Sequence, residues 1–251
     1  MDLQLKGKTA LISGSSKGIG LSIAKCLLKE GCNVVLNSRN SDTLQKLSKK
    51  MGSRSSYFQA DVTNISQCRK LVNHTNKTFG NIDILICNVG DGNSAKSGYE
   101  KLSDWKNMLD INLNSSINLI TESFESLKKT SGSIVCISSI AGIETTDAPV
   151  TYSIAKSALN SYVKNISKPF AKSGIRINAI APGNILFKGS VWEQKLSKNK
   201  KKVLDMISTK VAMNRFGNPD DISNAAAFLA SPLSGFTTGT IMVIDGGQIK
   251  N

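Results

Sequence analysis

Short apolar runs alternate with longer, helix-like segments along almost the whole chain, and this alternation constrains the fold most strongly. The first run, residues 8–13, reads KTALIS, and the fourth, residues 82–88, reads IDILICN. Strands are predicted at residues 8–13, 33–37, 56–60, 82–88, 132–138, 175–181 and 239–244. Apolar strands that alternate with helices form parallel sheets covered on both faces. The sequence therefore predicts an α/β fold with a seven-stranded parallel sheet flanked by helices.

The segments between these runs place apolar residues on one helical face. Helices are predicted at residues 19–29, 41–51, 64–79, 103–128, 151–172, 189–213 and 219–230, with Asn64 or Ser66 as the cap of the third. No linker or repeat divides the chain, so we expect one domain over residues 1–251. The lysine-rich stretch 184–215 is interpreted as an amphipathic lid over a substrate. The alternative is a surface helix whose apolar stripe faces the core.

A glycine-rich loop, residues 14–20 (GSSKGIG), follows the first strand and opens the first helix. Glycines allow the backbone to approach a pyrophosphate closely, and the N-terminus of the helix offers free N–H groups. The spacing is weak evidence alone, but its place in a βαβ unit favours a dinucleotide site over an ordinary turn. The loop residues predicted to bind the cofactor are Gly14, Ser16, Lys17, Gly18, Ile19 and Gly20. With the sheet, they indicate a doubly wound Rossmann domain.

The end of the second strand carries no carboxylate, since residues 36–40 read LNSRN. Folds that bind NAD usually place an acid there for the ribose 2′-hydroxyl. Lys17 and Arg39 are instead available for a 2′-phosphate, which is bound by cations. We therefore predict NADPH (NADP+) as the cofactor. The alternative is that both side chains are solvated surface cations.

Tyr152 and Lys156 lie four residues apart, one turn from each other on one face of a predicted helix. A nearby cation lowers the pKa of a phenol and makes it a usable proton donor or acceptor. Alone, the pair is more often an ordinary feature of a half-exposed helix. Its significance depends on the motifs around it.

The order of these motifs resembles the short-chain dehydrogenase/reductase family over about residues 5–247. Besides the glycine loop, the matching positions are Asn88, Gly90, Asn112, Ser139, Tyr152, Lys156, Pro182 and Gly183. The resemblance implies that Asn112, Ser139, Tyr152 and Lys156 are catalytic. It also implies that, besides Arg39 predicted above, the cofactor is bound by Asp61, Val62, Asn88, Gly90, Tyr152, Lys156, Pro182, Gly183 and Ile185.

The family chemistry implied is hydride transfer between a nicotinamide and a carbonyl carbon. Tyr152 would donate the proton to the alkoxide. Lys156 would lower the pKa of Tyr152 and hold the nicotinamide ribose. Ser139 would orient the substrate oxygen, and Asn112 would hold a water that links Lys156 to solvent.

The chain departs from the family pattern at three places. Ser13 replaces a threonine, and Cys87 and Val89 alter the turn after the fourth strand. Phe187 stands about where relatives often place a threonine that contacts the nicotinamide carboxamide. Ser190 or backbone groups could substitute for it. This departure bears on cofactor affinity and leaves the reaction class unchanged.

The resemblance to 3-oxoacyl-[acyl-carrier-protein] reductases implies reduction of a ketone to a secondary alcohol, with a 3-oxoacyl thioester as one substrate. Lysines that could dock an acidic carrier are Lys128, Lys129, Lys168 and Lys172. One alternative is a sugar, polyol or secondary-metabolite carbonyl. A different class is a non-catalytic cofactor-binding protein, against which the intact set of catalytic residues argues. Because relatives commonly form tetramers, a homotetramer is expected.

The composition narrows the remaining classes. The formal net charge of +14 favours acidic partners; the alternative is that the excess lysines only keep the surface hydrated. The lysine run 198–202 lacks the aromatic residues of a surface that binds single-stranded nucleic acid. We predict no nucleic-acid partner. His74 is the only histidine, so neither a histidine triad nor a metal site is expected. The five cysteines are scattered, which is typical of reduced thiols. No apolar run suits a membrane span and no signal peptide is recognised, so a cytoplasmic protein is predicted.

Overall fold

Seven parallel strands form one sheet in the order β3-β2-β1-β4-β5-β6-β7 in the computed structural model, which describes residues 1–250. The strands are β1 Thr9–Ile12, β2 Asn33–Ser38, β3 Ser55–Gln59, β4 Ile84–Cys87, β5 Ser133–Ile137, β6 Arg176–Pro182 and β7 Ile241–Ile244. Each end lies within two residues of its predicted position. The predicted seven-stranded parallel sheet is confirmed; Asn251, the last residue of the predicted domain, lies outside the described residues.

Helices on both faces connect the strands. They are α1 Gly18–Lys29, α2 Ser41–Met51, α3 Ile65–Phe79, α4 Leu102–Leu109, α5 Ser115–Thr130, α6 Val150–Ala171, α7 Val191–Lys198, α8 Lys200–Lys210 and α9 Pro219–Ala230. The caps follow from short polar side chains, which accept bonds from the free N–H groups of the first turn. Asn40 accepts from the N–H of Thr43 and caps α2, and Asn64, not Ser66, caps α3.

Two apolar cores lie on opposite faces of the sheet because successive strand residues point to opposite sides. In β4, Ile84 and Ile86 face the core formed with α1 and α9, whereas Leu85 and Cys87 face the core formed with α3, α5 and α6. All four side chains are at most 1% exposed. This continuous burial explains why the strands read as uninterrupted apolar runs.

The helix predicted over residues 103–128 is present as a continuous helical stretch from Leu102 to Thr130, but its centre is not α-helical. A turn of π-helix at Asp110–Asn114 separates α4 from α5. The Asn112 side chain donates to the carbonyl oxygen of Met108, one turn earlier, and also reaches the backbone of Asp91. Such side-chain bonds to the backbone leave the apolar periodicity unchanged and were therefore invisible in the sequence pattern.

The lysine-rich segment predicted as helical over residues 189–213 forms two helices instead of one. Asn199 has extended backbone angles (φ −155°, ψ 81°) and caps α8 by accepting from the N–H of Lys202. No residue of α7 is buried, whereas α8 buries Val203 and Ile207. Val203 and Ile207 belong to neither of the two apolar cores, so the lid and the surface helix both stay open as interpretations.

All five cysteines are free thiols, and Cys26 alone among them is not buried. Within residues 1–250, none of the helices has the length and apolar character that crossing a bilayer requires.

Candidate active site

The carboxyl ends of β1, β4, β5 and β6 lie at one edge of the sheet. β1 pairs with β2 on one side and with β4 on the other, so the strand order reverses between β1 and β4. Open α/β sheets bind ligands in the crevice beyond such a switch point. The segments after these four strands contain most of the predicted site residues, and the candidate site therefore lies at this edge.

Asn88 braces the glycine loop. Its Nδ2 donates to the carbonyl oxygens of Ser13 (3.1 Å) and Gly14 (3.0 Å). A Cβ on Gly20 would lie 2.5 Å from both Asn88 Nδ2 and Gly14 O, so glycine is needed for α1 to start this close to β4. The Asn88 amide nitrogen thus holds the glycine loop against the turn after β4. These two hydrogen bonds were not predicted from the sequence.

Ser13 shows what its hydroxyl does in place of the family threonine. The Ser13 Oγ donates to Ile86 O (3.2 Å) and accepts from the backbone N–H groups of Asn88 (3.0 Å) and Val89 (3.3 Å). These bonds join the end of β1 to the turn after β4. The altered turn at Cys87 and Val89 therefore keeps its attachment to the glycine loop.

The first turn of α1 is suited to an anion. Its N-cap residue, Lys17, makes no side-chain capping bond, and the turn contains no acidic residue. Gly14 (φ +62°) and Gly18 (φ +56°) have left-handed backbone angles that favour glycine. The N–H groups and partial positive charge of such a helix end bind phosphate. The residues present therefore fit the diphosphate of a dinucleotide.

Lys17 lies in the glycine loop and Arg39 directly follows β2, and these are the two cations predicted for the 2′-phosphate. Both are exposed, and neither forms an ion pair with a carboxylate of the described residues. Lys17 Nζ lies 3.4 Å from the carbonyl oxygen of Gly189. At the end of β3, the Asp61 carboxylate accepts from the N–H (3.0 Å) and hydroxyl (2.8 Å) of Thr63, and Val62 is buried.

Tyr152, Lys156 and Ser139 meet where α6 crosses the end of β5. Lys156 is 3% exposed, and its Nζ donates to Ile137 O at 2.8 Å and lies 5.9 Å from the centre of the Tyr152 ring. Ser139 caps the short 3₁₀ turn Ile140–Gly142, with its Oγ accepting from the Ala141 N–H at 3.1 Å. The structure thus brings these three residues together, and the fourth residue predicted as catalytic, Asn112, lies beside Lys156 across Gly90.

Gly142 sets how close α6 lies to the end of β5. A Cβ on Gly142 would lie 2.6 Å from the carbonyl carbon and 2.9 Å from the Cβ of Lys156, which leaves no space for a side chain. The Gly142 carbonyl oxygen also accepts from Ser157 Oγ (3.0 Å) and Asn160 Nδ2 (3.1 Å). Contact and hydrogen bonds together fix the second and third turns of α6.

Burial is the main cause of the pKa shifts of Tyr152 and Lys156. Burial raises the pKa of the Tyr152 phenol, the Ser139 hydroxyl acts to lower it, and the Asp91 carboxylate raises it further. Burial also lowers the pKa of Lys156 to about 8, although the nearby thiols of Cys136 and Cys87 oppose this shift. Burial is therefore the largest influence on the Tyr152 phenol, and the lowering of its pKa by Lys156 stays a prediction. Part of the Tyr152 surface remains accessible, which gives a ligand a route to it.

Asn112 is fully buried in the π-turn. Its Nδ2 donates to Asp91 O (3.0 Å) and Met108 O (3.1 Å), and its Oδ1 accepts from the Asp91 N–H (3.1 Å). A Cβ on Gly90 would lie 3.0 Å from Asn112 Oδ1 and 3.1 Å from Lys156 Nζ. Asn112 therefore clamps the loop after β4 beside Lys156, and Gly90 leaves room for both groups.

Asp91, the first residue of the loop 91–103 in which the sequence predicts substrate specificity, was given no role of its own. Asn112 holds its backbone on both sides, and its carboxylate acts on the titration of Tyr152. Its Oδ1 accepts from the Asn93 N–H at 2.9 Å. The available signal was its position directly after the Asn-Val-Gly turn, where an acid faces the strand ends.

The segment after β6 completes the edge. A Cβ on Gly183 would meet the backbone of Asp245 at 2.8 Å, and Pro182 ends β6. Ile185 is buried and pairs with Gly217 through an isolated bridge. The side chain of Ile185 therefore packs into the core, so its predicted role toward a cofactor falls to its backbone. The Phe187 ring lies on Gly18 of the glycine loop.

Two cavities lie away from Ser139, Tyr152 and Lys156. One of about 620 Å³ opens at the opposite edge of the sheet, beside Asp83, Arg176 and Phe236. The other, of about 360 Å³, lies behind the segment after β6, beside Ile185 and Arg215. Neither contains Tyr152, so the convergence of loop, hydroxyl and amine groups locates the site better than cavity size does.

A doubly wound parallel sheet with a phosphate-type loop at its switch point defines the class of Rossmann-fold proteins. A family model described as enoyl-(acyl carrier protein) reductase matches residues 14–248. The 3-oxoacyl-[acyl-carrier-protein] reductase FabG of Rickettsia prowazekii is 32% identical over 248 residues, which cover 98% of this chain and 99% of that protein. The chain therefore belongs to the short-chain dehydrogenase/reductase family of oxidoreductases.

Two further proteins indicate how varied the substrates of similar chains are. Glucose 1-dehydrogenase 2 of Bacillus subtilis is 31% identical over 251 residues, covering 97% of this chain and 95% of that protein. The crystal structure of L-sorbose reductase from Gluconobacter frateurii, complexed with NADPH and L-sorbose, superposes with a TM-score of 0.94. It is 27% identical and covers 100% of both chains.

Proposed function

We propose that this protein is an NADPH-dependent reductase that converts a ketone to a secondary alcohol. The observation that carries the proposal is the meeting of Ser139, Tyr152 and Lys156 beside the glycine loop. These three residues supply a hydroxyl, a phenol and a buried amine. When bound, the nicotinamide supplies the hydride. The protein supplies binding, orientation and the proton.

The residues available for the cofactor match its charges. The first turn of α1 suits the diphosphate, while Lys17 and Arg39 suit the 2′-phosphate because they are exposed cations without carboxylate partners. Lys156 Nζ is held near the strand ends for a ribose hydroxyl. NADPH bound to L-sorbose reductase, a structural neighbour, supports the same choice.

Tyr152 acts as the general acid. Its raised pKa keeps the phenol protonated near neutral pH, which is the form needed to protonate an alkoxide oxygen. Lys156, with a pKa of about 8, remains largely cationic at pH 7 and stabilises the phenolate left behind. Ser139 Oγ orients the carbonyl oxygen, and Asn112 positions the loop beside Lys156.

The test of this role is Tyr152→Phe, which removes the transferable proton and keeps the ring. We expect NADPH binding to persist and turnover to fall by orders of magnitude. Equilibrium binding by NADPH fluorescence and initial rates of NADPH oxidation separate the two effects. Near-normal turnover of the variant would remove the mechanism.

The cofactor assignment is tested by the ratio of kcat/KM with NADPH to that with NADH. We expect the ratio to favour NADPH and to fall in Lys17→Ala/Arg39→Ala, because each cation contributes charge-assisted bonds to the 2′-phosphate. Lys164→Ala, which removes an exposed lysine of α6, is the matched control. A ratio that favours NADH, or one that the double variant leaves unchanged, contradicts the assignment.

A 3-oxoacyl thioester is the first substrate candidate, supported by the similarity to FabG. The lysines proposed to dock its carrier do not strengthen this candidate, because they lie far from Tyr152. Lys168 lies 16 residues after Tyr152 along α6, which at 1.5 Å per residue is about 24 Å from it. Lys128 and Lys129 likewise end α5. These lysines therefore stand toward the other end of the sheet, and only a long carrier arm would connect them to Tyr152.

A hydroxylated ketone such as a sugar is the second candidate, and Asp91 favours it. The carboxylate acts electrostatically on Tyr152, is partly exposed, and forms no ion pair among the described residues. A carboxylate accepts hydrogen bonds from substrate hydroxyls and has nothing to offer an alkyl chain. The structural likeness to L-sorbose reductase points the same way.

A single screen separates the two candidates. NADPH consumption is measured with β-ketoacyl thioesters, ketoses and simple diketones, for the wild type and Asp91→Asn. A preference for ketoses that Asp91→Asn reduces supports the second candidate. A preference for thioesters unaffected by this substitution supports the first. No consumption with any ketone, together with retained NADPH binding, would instead favour a non-catalytic cofactor-binding protein.

We also propose a cytoplasmic homotetramer. The free state of all five cysteines is typical of a reducing compartment. Association is supported by the edge strand β7, whose four residues are all only partly buried, and by Phe236, which is fully exposed. Light scattering during gel filtration tests this assembly, and a monomer at micromolar concentration would refute it.

A further inference from the structure

The ring of Phe187 lies directly on Gly18, the first residue of α1. A Cβ built on Gly18 would lie 2.5 Å from Phe187 Cε2, 2.6 Å from Cζ and 2.9 Å from Cδ2. Such distances are shorter than any van der Waals contact, so one edge of the ring occupies the space next to the Gly18 Cα. This contact joins the segment after β6 to the glycine loop.

The backbone around Phe187 is fixed on both sides. Before it, Leu186 N donates to Gly217 O (2.9 Å), and Gly217 N donates to Asn184 O (3.0 Å). After it, Ser190 N donates to Phe187 O (3.0 Å), and Phe187 N donates to the buried Ser190 Oγ (3.3 Å). The position of the ring is therefore built into the fold of the segment. The ring also packs against the apolar core on the α1 face.

The ring covers the part of the molecule best suited to a diphosphate. The first turn of α1 has no acidic residue and no side-chain cap, so its N–H groups are available to an anion. An aromatic edge offers those groups no acceptor and excludes other ligands from the space that it fills. A diphosphate drawn to this turn and the ring in its present position therefore compete.

A second contact closes the same segment. Lys17 Nζ, predicted to bind the 2′-phosphate, donates to Gly189 O at 3.4 Å. Gly189 is two residues before the start of α7. One ligand, carrying both a diphosphate and a 2′-phosphate, would thus act on both contacts that hold residues 187–189 against the glycine loop.

We propose that Phe187 is an aromatic gate over the diphosphate site, and that its ring must leave Gly18 before a dinucleotide binds. This inference rests on the proposed use of NADPH. Phe187 therefore lowers the affinity for the cofactor. Its displacement moves the start of α7, which couples cofactor binding to the segment interpreted as the lid.

Phe187→Thr tests the gate by removing the ring and introducing the threonine that relatives often place at this position. We expect the Kd for NADPH, from fluorescence titration without substrate, to fall about tenfold, because transferring a partly buried ring to water costs on the order of 1.4 kcal/mol. Phe187→Leu, which keeps an apolar side chain, is expected to give a smaller decrease. Thermal melting followed by circular dichroism establishes that both variants are folded.

Two controls make the result specific to the diphosphate. Adenosine 2′-monophosphate carries the 2′-phosphate without a diphosphate, so its Kd should be equal in the wild type and Phe187→Thr. Phe216→Leu alters another aromatic residue of the same segment, which contacts Trp192 with ring centres 5.6 Å apart. This variant should bind NADPH as the wild type does.

Three outcomes would overturn the gate. They are an unchanged or higher Kd for NADPH in Phe187→Thr, an equal gain for adenosine 2′-monophosphate, and an equal gain in Phe216→Leu. Failure of the reductase proposal looks different, because it appears as retained turnover in Tyr152→Phe or as no turnover at all. The gate is measured by equilibrium binding and does not require turnover.

Discussion

Replacing Lys156 with methionine is expected to stabilise the protein at pH 7 while removing its activity. Lys156 is 3% exposed, and burial lowers the pKa of its ammonium group from 10.5 to about 8. The folded state therefore disfavours the charged form by about 3.4 kcal/mol, at 1.36 kcal/mol for each pH unit. Methionine is long and flexible enough to fill the same space without a charge.

The pH dependence follows from the direction of this shift. Below pH 8, Lys156 is protonated in both the folded and unfolded states, so the folded state bears the whole penalty. Between pH 8 and 10.5 the folded protein releases the proton and the unfolded chain keeps it, so stability rises with pH. At pH 9.5 about 1.4 kcal/mol of the penalty remains.

The bond from Lys156 Nζ to Ile137 O, lost in the variant, offsets about 1 kcal/mol of the gain. We therefore expect Lys156→Met to raise the free energy of unfolding by about 2 kcal/mol at pH 7 and by less than about 0.5 kcal/mol at pH 9.5. In a chain of this length, the gain at pH 7 corresponds to a rise in Tm of about 4–8 °C.

Urea denaturation followed by circular dichroism at both pH values measures this difference. Lys164→Met is the matched control, because Lys164 lies exposed on the same helix and its removal should change stability little. A variant less stable than the wild type at pH 7, or one with equal gains at both pH values, would refute the reasoning.

Two smaller predictions concern the contacts around the site. Gly142→Ala should destabilise the protein by about 1–3 kcal/mol and reduce turnover, because its Cβ would meet the backbone of Lys156 at 2.6 Å. Urea denaturation measures the change in stability. Gly92→Ala is the control, because a Cβ on Gly92 meets nothing within 4 Å. Asp147→Asn breaks the 2.7 Å pair with Lys210 but should leave the Tm unchanged within error, because both side chains are exposed and such pairs contribute little; a large drop would show that the pair holds α8 in place.

The sheet could be predicted from the sequence because its signal is repeated many times over. The central strands β1, β4 and β5 are continuous runs buried on both faces, and the partly buried edge strands β3 and β7 still alternate with helical segments at the same spacing. The glycine loop and the α6 pair were found because their chemistry depends on spacing along the chain. Local spacing is what a sequence displays directly.

The structure departs from the predicted helices where an asparagine side chain bonds to the backbone. Asn112 forms the π-turn by reaching Asp91 and Met108, and Asn199 divides the lysine-rich segment by capping α8. Neither bond changes the pattern of apolar residues. Similarly, Phe187 was recognised as a departure from the family pattern, but its contact with Gly18 depends on how the segment after β6 folds over β1.

The same burial that costs stability at Lys156 also affects how the rates of reduction and oxidation depend on pH. Tyr152 is biased toward the protonated phenol, the form that reduction consumes, so reduction should be steady near neutral pH and fall above about pH 8 as Lys156 loses its charge. Oxidation of the alcohol starts from the phenolate, which burial and Asp91 disfavour, so its rate should instead rise with pH. Asp91→Asn removes a charge that raises the pKa of Tyr152, and the rise in oxidation should move to lower pH. Initial rates in both directions from pH 6 to 9.5 measure this, and a rise that stays in place or moves to higher pH would show that Asp91 does not act on Tyr152.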